Sequence, residues 1–438
     1  MTEYVLATAQ SRSDVTVSRW RIALLVSAAI TISYLDRQTL PWAITAIQRD
    51  IPISNQVKAF LDSAFLVTYG LMYLVGGRFV DFLGTRRGFM VIMIFWSLAC
   101  ASHGVAGNYE LPALLGLPFG VPMLATSRLL LGVGEGGGFP TATRAVTEWF
   151  PVPERSTAMG IINAGTAVGA VLAPPLIALV LTNANWFGLA PWRWVFFITG
   201  ALGLAWTLWW WHDYHPPEEA APAREREPMI PLATLLRFRE TRAVIFAKFL
   251  SDAAWYFYLF WLPKFLFDTF QLDIKTAGSI GWIPYAASGV GALCGGALSS
   301  WLLRRGWSVN ASRKFALGAS AALMPWVMLV PQTHSIGLVI VIFSVAFFGQ
   351  QSWSTLVMIL PTDLIERRAV GTLAGLVGFG GAMGGVLLGQ IVGYLRDHGH
   401  SYAPALFISG SLHVVAFAVV CLGIPRIQAL TLPSTRPT

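Results

Sequence analysis

The stretch Gly76-Gly-Arg-Phe-Val-Asp-Phe-Leu-Gly-Thr-Arg-Arg ends one long apolar block and leads into the next. A similar stretch, Gly295-Gly-Ala-Leu-Ser-Ser-Trp-Leu-Leu-Arg-Arg, starts 219 residues later. A second pair, Glu154-Arg-Ser-Thr-Ala-Met-Gly and Glu366-Arg-Arg-Ala-Val-Gly, is 212 residues apart. Both offsets are close to half of the 438 residues, so they indicate a duplicated chain. Duplicated halves are common among membrane transporters, whose substrate site lies at mid-membrane between them.

The composition excludes most water-soluble functions. Hydrophobic residues make up 55% of the chain and charged residues 12%, with a mean hydropathy of +0.60. Soluble domains carry about 25% charged residues, so this chain lacks the charge to cover a water-facing surface. We therefore expect neither a soluble enzyme nor a nucleic-acid-binding protein. The net charge of +8 is attributed to basic loops that orient membrane helices.

Clusters of residues that could bind a metal or catalyse a reaction are also not expected. The three cysteines, Cys100, Cys294 and Cys421, lie far apart in apolar segments, and the seven histidines form no ligand pattern. No nucleophile–base pair or cofactor motif is apparent. The sequence thus predicts no metal, no cofactor and no enzymatic activity.

Apolar blocks of about 20 residues, the length of a helix that crosses a bilayer, recur along the chain. They predict an all-α membrane protein rather than a barrel, whose strands are shorter and alternate. Hydropathy places twelve spans at residues 21–46, 59–82, 88–106, 120–146, 156–182, 190–212, 240–268, 275–304, 311–331, 335–362, 368–396 and 402–425. The polar stretch 213–239 is predicted to be a cytoplasmic linker between six-helix bundles over residues 1–212 and 240–438.

The charges of the loops orient these spans. With both termini in the cytoplasm, fifteen Lys and Arg residues fall in inner loops and only six in outer loops. The six are Arg49, Lys58, Arg193, Lys264, Lys275 and Arg396. This asymmetry is the one that membrane insertion favours. The first apolar block is predicted to be an uncleaved spanning helix and not a signal peptide.

Four ionisable residues lie inside the first and fourth predicted spans: Asp36, Arg37, Arg128 and Glu135. A charge within a span costs at least about 2.5–3.5 kcal/mol on insertion scales, so it normally faces a water-filled cavity or a partner. Arg128 and Glu135 are seven apart and share a helix face, whereas Asp36 points about 100° away from Arg37, towards a neighbouring helix.

These positions support a coupled-site hypothesis. A guanidinium matches a carboxylate with two parallel hydrogen bonds, and a carboxylic acid in an apolar cavity can exchange protons near neutral pH. We therefore expect Arg37 to bind an anionic substrate and Asp36 and Glu135 to carry protons, with Arg128 holding ionised Asp36. The alternative is two ion pairs that only fix helix packing.

The second half offers weaker candidates. Lys248 and Asp252 are four apart on one face of the seventh span, where they either pair locally or serve a cavity. Hydroxyl-rich ligands are bound by polar side chains and aromatic faces, although aromatic residues in membrane helices are more often packing or interface anchors. Candidate contacts are Trp255, Tyr258, Gln350, Gln351 and Ser354, with Asn163 and Thr166 of the fifth span.

The stretch that begins at Gly76 resembles the signature loop of the major facilitator superfamily. Tyr34-Leu-Asp-Arg, Arg128 with Glu135, and Glu148-Trp-Phe-Pro-Val-Pro-Glu-Arg resemble its anion:cation symporter family. Segments in the second half resemble the bacterial hexuronate transporter branch. They are Phe249-Leu-Ser-Asp-Ala-Ala-Trp, Trp261-Leu-Pro and Trp282-Ile-Pro.

The resemblance implies roles for individual residues. Arg37 becomes the ligand of the substrate carboxylate, Asp36 and Glu135 the protonation sites, and Tyr34 and Tyr69 residues of the cavity. Asp81, Arg86 and Arg87 become a cytoplasmic latch. The sequence departs from the family pattern at Ser300, which stands where the first half has Asp81, and at Gly378 and Thr166, where sugar-acid relatives can have Asn and Gln.

Together these features predict a monomeric transporter in a bacterial inner membrane that works by alternating access of its two bundles. Its partners would be a small anion, protons and the lipid bilayer. The expected function is proton-coupled uptake of a hexuronate such as glucuronate or galacturonate. Three alternatives remain: a symporter of another organic anion, such as an aldonate or aldarate, an exporter of amphipathic drugs, and a sensor without flux. Sodium coupling is a further alternative to protons.

Overall fold

The computed structural model describes residues 2–107, 118–151, 154–215 and 232–430, and the side chains of all of these except residues 2–18, 77, 78, 81, 156, 367 and 368. Within this part the chain is helical and has no strand, as expected for apolar segments whose backbone groups must find partners inside their own helix. The helices are α1 (Thr2–Ile47), α2 (Asn55–Leu83), α3 (Thr85–Ser102), α4 (Val121–Gly136), α5 (Gly138–Trp149), α6 (Arg155–Asn183), α7 (Pro191–Asp213), α8 (Leu232–Arg237), α9 (Arg239–Phe270), α10 (Ile274–Gly281), α11 (Ile283–Arg304), α12 (Val309–Ala321), α13 (Ile336–Leu364), α14 (Arg367–Asp397) and α15 (Ala403–Gly423). Two 3₁₀ helices cover His103–Val105 and Met324–Gln332.

Each predicted span falls on one helix or on one interrupted helix. Ten spans in the described residues are long and apolar enough to cross a membrane. The first and fourth predicted spans, which carry the buried charges, correspond to α1 and to α4 followed by α5. The fourth span is interrupted at Gly137, and the eighth between α10 and α11, where Pro284 opens the second segment.

The first helix is longer than predicted. It begins at Thr2 rather than near residue 21, because the sequence up to Leu40 has neither glycine nor proline to end a helix. The linker predicted over 213–239 lies partly outside the described residues, and its last part forms the short helix α8.

The two halves meet mainly through α2 with α14 and through α6 with α10 and α11, and α1 also contacts α9. In the antiparallel pair α2–α14, the backbone N–H groups of Asn55 and Gln56 donate to the carboxylate of Asp397 at 2.9 and 2.8 Å. Further along, Gln390 Nε2 donates to Ser63 Oγ at 2.8 Å. The predicted bundles are therefore in contact along a defined seam.

Glycine permits this seam to close tightly. A Cβ atom on Gly375 would lie 2.9 Å from the carbonyl oxygen of Tyr73, and one on Gly393 would lie 2.7 Å from Ala59 Cβ. Both distances are shorter than real Cβ contacts, so only glycine allows the two backbones to approach this closely.

The outside of α7 shows how the helices meet the bilayer. Leu202 and Leu204 are exposed along its length. Trp186 is exposed beside its first turn, where its ring packs against Trp194, and Trp211 is exposed in its last turn. Tryptophan at both ends of an exposed apolar helix is the pattern of an interface belt.

Candidate functional site

The centre of the molecule is built around Arg37 of α1, which is only 2% exposed. Its Nε donates to Glu135 Oε2 of α4 at 2.6 Å. Ser33, one turn earlier on α1, donates to the same oxygen at 2.7 Å. One turn later, Pro41 has no N–H to offer the carbonyl of Arg37, so the hydrogen-bond ladder of α1 is interrupted beside the ion pair.

Aromatic rings enclose the guanidinium group. The Arg37 Cζ lies 4.2 Å from the ring centroid of Tyr69 and 4.6 Å from that of Tyr34. Tyr69 also shares a hydrogen bond of 3.0 Å with the hydroxyl of Tyr73. Cation–π contacts of this kind are worth about 2 kcal/mol when desolvated. The structure thus brings together four of the predicted site residues: Tyr34, Arg37, Tyr69 and Glu135.

Asp36 faces away from this group, as its position on the helix predicts. Its Oδ2 accepts a hydrogen bond of 3.1 Å from Trp96 Nε1 of α3. Cys100 and Thr199 lie beside it, and the residue is fully buried. The prediction that Asp36 points to a neighbouring helix is confirmed.

The predicted pairing of Arg128 with Asp36 is wrong. Arg128 is fully buried on α4, and its Nη2 lies 3.5 Å from Asp62 Oδ1 of α2. The other oxygen of Asp62 receives Lys58 Nζ at 2.6 Å. Arg128 is placed beside Asp62 and Phe65 of α2, whereas Asp36 bonds to Trp96 of α3, so the two side chains have different partners.

Lys58 was also misplaced by the sequence analysis, which put it in an outer loop. It is fully buried in α2 and joins the two halves, since its Nζ donates to the carbonyl oxygen of Phe260 in α9 at 3.0 Å. The ammonium also lies 4.2 Å from the ring of Trp261. The spacing of Lys58 and Asp62, four residues apart, was a signal for this pair. It was missed because the hydropathy of the span begins just after Lys58.

The second half carries a polar network of its own. Lys248 Nζ lies 3.0 Å from Asp252 Oδ1 and donates to Ser354 Oγ of α13 at 2.7 Å. Gln350 Nε2 approaches Asp252 Oδ1 at 3.5 Å, and its amide oxygen pairs with His413 of α15. Two of the predicted substrate contacts, Gln350 and Ser354, thus belong to this network.

Aromatic rings connect the network with the Arg37 group. Tyr256 lies one turn after Asp252 on α9, with its ring centroid 5.7 Å from that of Phe260, and Phe260 is 6.5 Å from Phe65 of α2. Phe65 in turn lies 5.6 Å from the Arg37 Cζ. The sequence analysis did not select Tyr256, because nothing distinguished it from the other aromatic residues of this span.

The remaining predicted contacts have other surroundings. Trp255 and Tyr258 pack against Phe347, with ring centroids 5.6 and 5.8 Å apart. These contacts fit the packing interpretation. Asn163 is exposed, and its carbonyl accepts a hydrogen bond from half-buried Thr166. Gln351 is half-buried, and its carbonyl accepts from Thr355.

The predicted cytoplasmic latch is only partly described. The side chain of Asp81 lies outside the described residues. Arg86 Nη2 donates to the carbonyl of Trp211 at 2.6 Å, within the first half, and Arg87 is exposed. The latch therefore stays a prediction. Among the side chains described, no group of His, Cys, Asp or Glu has the arrangement of a metal site.

The comparisons with known proteins define the class. The profile of the Major Facilitator Superfamily matches residues 26–389. The chain therefore belongs to this superfamily, and the ten candidate spans among its described residues make it a multi-pass membrane protein. The crystal structure of a D-xylose–proton symporter superposes with a TM-score of 0.73, covering 93% of this chain and 99% of that one. At 15% identity this likeness shows the fold.

Two relatives indicate which transporters of the superfamily this chain is similar to. The D-galactonate transporter of Escherichia coli O6:H1 is 28% identical over 92% of this chain and 95% of its own length. The hexuronate transporter of Escherichia coli K12 is 27% identical over 86% of this chain and 88% of its own length. These relatives are transporters of the anion:cation symporter type, which confirms the family resemblance.

Proposed function

We propose that the protein is a secondary active transporter that takes up an anionic sugar acid together with protons, with hexuronates such as glucuronate and galacturonate as the first candidates. The observation that carries this proposal is the buried ion pair of Arg37 with Glu135, enclosed by Tyr34 and Tyr69. The names of the relatives, which transport galactonate and hexuronate, support the substrate class.

The ion pair gives a direct coupling between proton and anion. While Glu135 is ionised, it occupies the Nε of Arg37, the group that a substrate carboxylate needs. Protonation of Glu135 removes its negative charge and leaves Arg37 uncompensated in a buried place. Such a charge is costly without a partner, so the protonated site attracts an anion. Proton and substrate therefore bind together.

Asp36 has a different place in this proposal. Its hydrogen bond to Trp96 ties α1 to α3 behind the substrate-facing side of the helix. Its protonation would change the contact between these helices rather than the contact with the anion. It remains a candidate second protonation site that acts on the arrangement of the first half.

The seam between the halves supports alternating access as the mode of transport. Release of the substrate to the cytoplasm requires the bundles to part on that side, as in other transporters with duplicated halves. A bacterial inner membrane is supported by the bacterial source of the relatives, and cytoplasmic termini are supported by the loop charges.

Uptake into proteoliposomes tests the proposal. Glucuronate, galacturonate and galactonate are compared with and without an inward proton gradient, and again with a sodium gradient at constant pH. Accumulation that requires the proton gradient supports the proposal. Accumulation with sodium alone assigns the coupling to sodium, specific binding without uptake indicates a sensor, and uptake of none of these acids rejects the substrate class.

A further inference from the structure

The pair of Lys248 and Asp252 has no role in the coupling described above, although it too is buried in a membrane span. The two side chains are 7% and 9% exposed. Each ionised group inside a membrane span is expensive, and such groups usually mark a substrate or ion pathway. A structural role alone would be served as well by apolar side chains of similar volume.

A second pair of a lysine and an aspartate on α9 serves as a comparison. Lys264 and Asp268 have the same four-residue spacing on α9. Asp268 also accepts from Tyr402 at 2.8 Å and lies 3.5 Å from Arg396, so both of its oxygens are held by the second half. The Lys264–Asp268 pair thus has two further close partners, Tyr402 and Arg396, and it has the character of a packing pair.

The surroundings of Asp252 are different. Gln350 approaches it from α13, and its Oδ2 packs directly against Gly381 of α14, where a Cβ atom would lie 2.2 Å from that oxygen. Tyr256 lies one turn after Asp252 on α9, and its ring centroid is 5.7 Å from that of Phe260, which is 6.5 Å from that of Phe65 in the first half. Phe65 in turn lies 5.6 Å from the Arg37 Cζ. The other titratable groups near the pair are Tyr34 of α1, and His413 of α15 behind Gln350. The pair therefore lies on the helix whose aromatic residues also reach the surroundings of Arg37.

The charges of the two pairs can be counted. Arg37 with Glu135 is neutral, and so is Lys248 with Asp252. One proton on Glu135 leaves a single positive charge, which one carboxylate neutralises. A second proton on Asp252 leaves a second positive charge, on Lys248, which needs a second carboxylate. Each half thus supplies one cation and one acid that can release it.

We infer that Lys248, with Ser354 and Gln350, is a second anion subsite, which binds the far carboxylate of a dianionic sugar acid while Arg37 binds the near one. This inference rests on the proposed function and extends it from hexuronates to sugar acids with a carboxylate at each end. Lys248 is suited to this role because its ammonium is already held by Ser354, and the hydroxyl remains to orient it when Asp252 is protonated.

The test compares two ligands that differ in one carboxylate. Binding of galactarate, a dianion, and galactonate, a monoanion of the same chain length, is measured by calorimetry on the purified full-length protein at pH 6. We expect the unmodified protein to bind galactarate more tightly. We expect Lys248→Gln to weaken galactarate binding by roughly ten- to a hundredfold, the range for a hydrogen bond to a charged group, and galactonate binding by less than about threefold.

Two further variants keep the result interpretable. Lys264→Gln removes the same charge from the second pair on α9 and should leave the ratio of the two affinities unchanged. Lys248→Gln combined with Asp252→Asn avoids an unpaired buried acid and keeps the test valid if the single variant is unstable. Asp252→Asn alone should retain galactarate binding and reduce the number of protons taken up with it by one.

The outcomes separate this inference from the proposed function. If the unmodified protein binds neither these acids nor a hexuronate, both the proposed function and the proposed subsite are wrong. If both acids bind with equal affinity, or if Lys248→Gln weakens both equally, the subsite is wrong while the proposed function stands. A loss confined to galactarate establishes the subsite.

Discussion

Glu135→Gln is the most direct perturbation of the coupled site. Glutamine has nearly the same shape and still offers an oxygen to Ser33 and to the Nε of Arg37, but it carries no charge and cannot exchange a proton. The variant therefore imitates the protonated state permanently. It separates the negative charge of Glu135 from the space that the side chain fills.

The magnitude follows from the negative charge that is lost. Arg37 Nε and Glu135 Oε2 are 2.6 Å apart and almost fully buried. Hydrogen bonds to charged groups contribute about 1.5–3 kcal/mol and neutral ones about 0.5–1.5 kcal/mol, so the change weakens the bond that a substrate anion must displace by about 1–1.5 kcal/mol. Since about 1.4 kcal/mol corresponds to a factor of ten, we expect the variant to bind the anion roughly five- to tenfold more tightly at a pH where Glu135 is ionised.

The pH dependence has a definite sign. In the unmodified protein, anion binding is favoured when Glu135 is protonated, so affinity should increase as the pH falls. In the variant this contribution is absent, and affinity should vary much less with pH. Calorimetry between pH 5.5 and 8.5 measures both curves. In proteoliposomes the variant should exchange substrate for substrate but fail to accumulate it against a gradient.

A matched control is Glu154→Gln. Glu154 forms a 3.1 Å pair with Arg19 in the same half, outside the centre, and its side chain is 36% exposed. This change should leave both pH dependence and accumulation intact. Weaker anion binding by Glu135→Gln at every pH, or uphill accumulation by that variant, would refute the coupling mechanism.

Three further predictions concern binding, packing and the contact between the halves. Arg37→Ala should abolish measurable anion binding in calorimetry, and retained affinity would remove Arg37 from the substrate site. Gly132→Ala should lower the melting temperature in detergent, since its Cβ would overlap the backbone of α2 and overpacking costs about 1–3 kcal/mol, whereas Gly160→Ala, with open space around it, should not. Lys58→Met removes the bond to the Phe260 carbonyl and should broaden the distance distribution between spin labels at the start of α2 and the end of α14. An unchanged distribution would show that this bond does not hold the halves together.

Much of the architecture was predictable from the sequence because a bilayer imposes strict lengths. A helix needs about 20 apolar residues to cross it, and each predicted span corresponds to a helix or an interrupted helix in the structure. The direction of Asp36 was predictable for a similar reason, since helical geometry fixes which way a side chain points relative to Arg37.

The partners of the buried charges were less predictable. Helical periodicity places Arg128 on a face of its helix, but it does not say which neighbour covers that face. In the structure the partner of Arg128 is Asp62. The sequence analysis did not select Asp62, because it lies near the end of a span and close to Lys58. Pairing across helices depends on the packing of three or more segments, which spacing along one segment cannot give.

The tryptophans at the two ends of α7 have a consequence for the choice of membrane in every experiment above. Trp194 and Trp211 are 17 residues apart, or about 26 Å along a helix at 1.5 Å per residue. Rings anchored at both headgroup layers resist a change in lipid thickness, so a mismatched bilayer would tilt the helix or deform around it. Vesicles made from lipids of unusually short or long acyl chains should therefore slow the cycle, although the affinity for the anion stays the same.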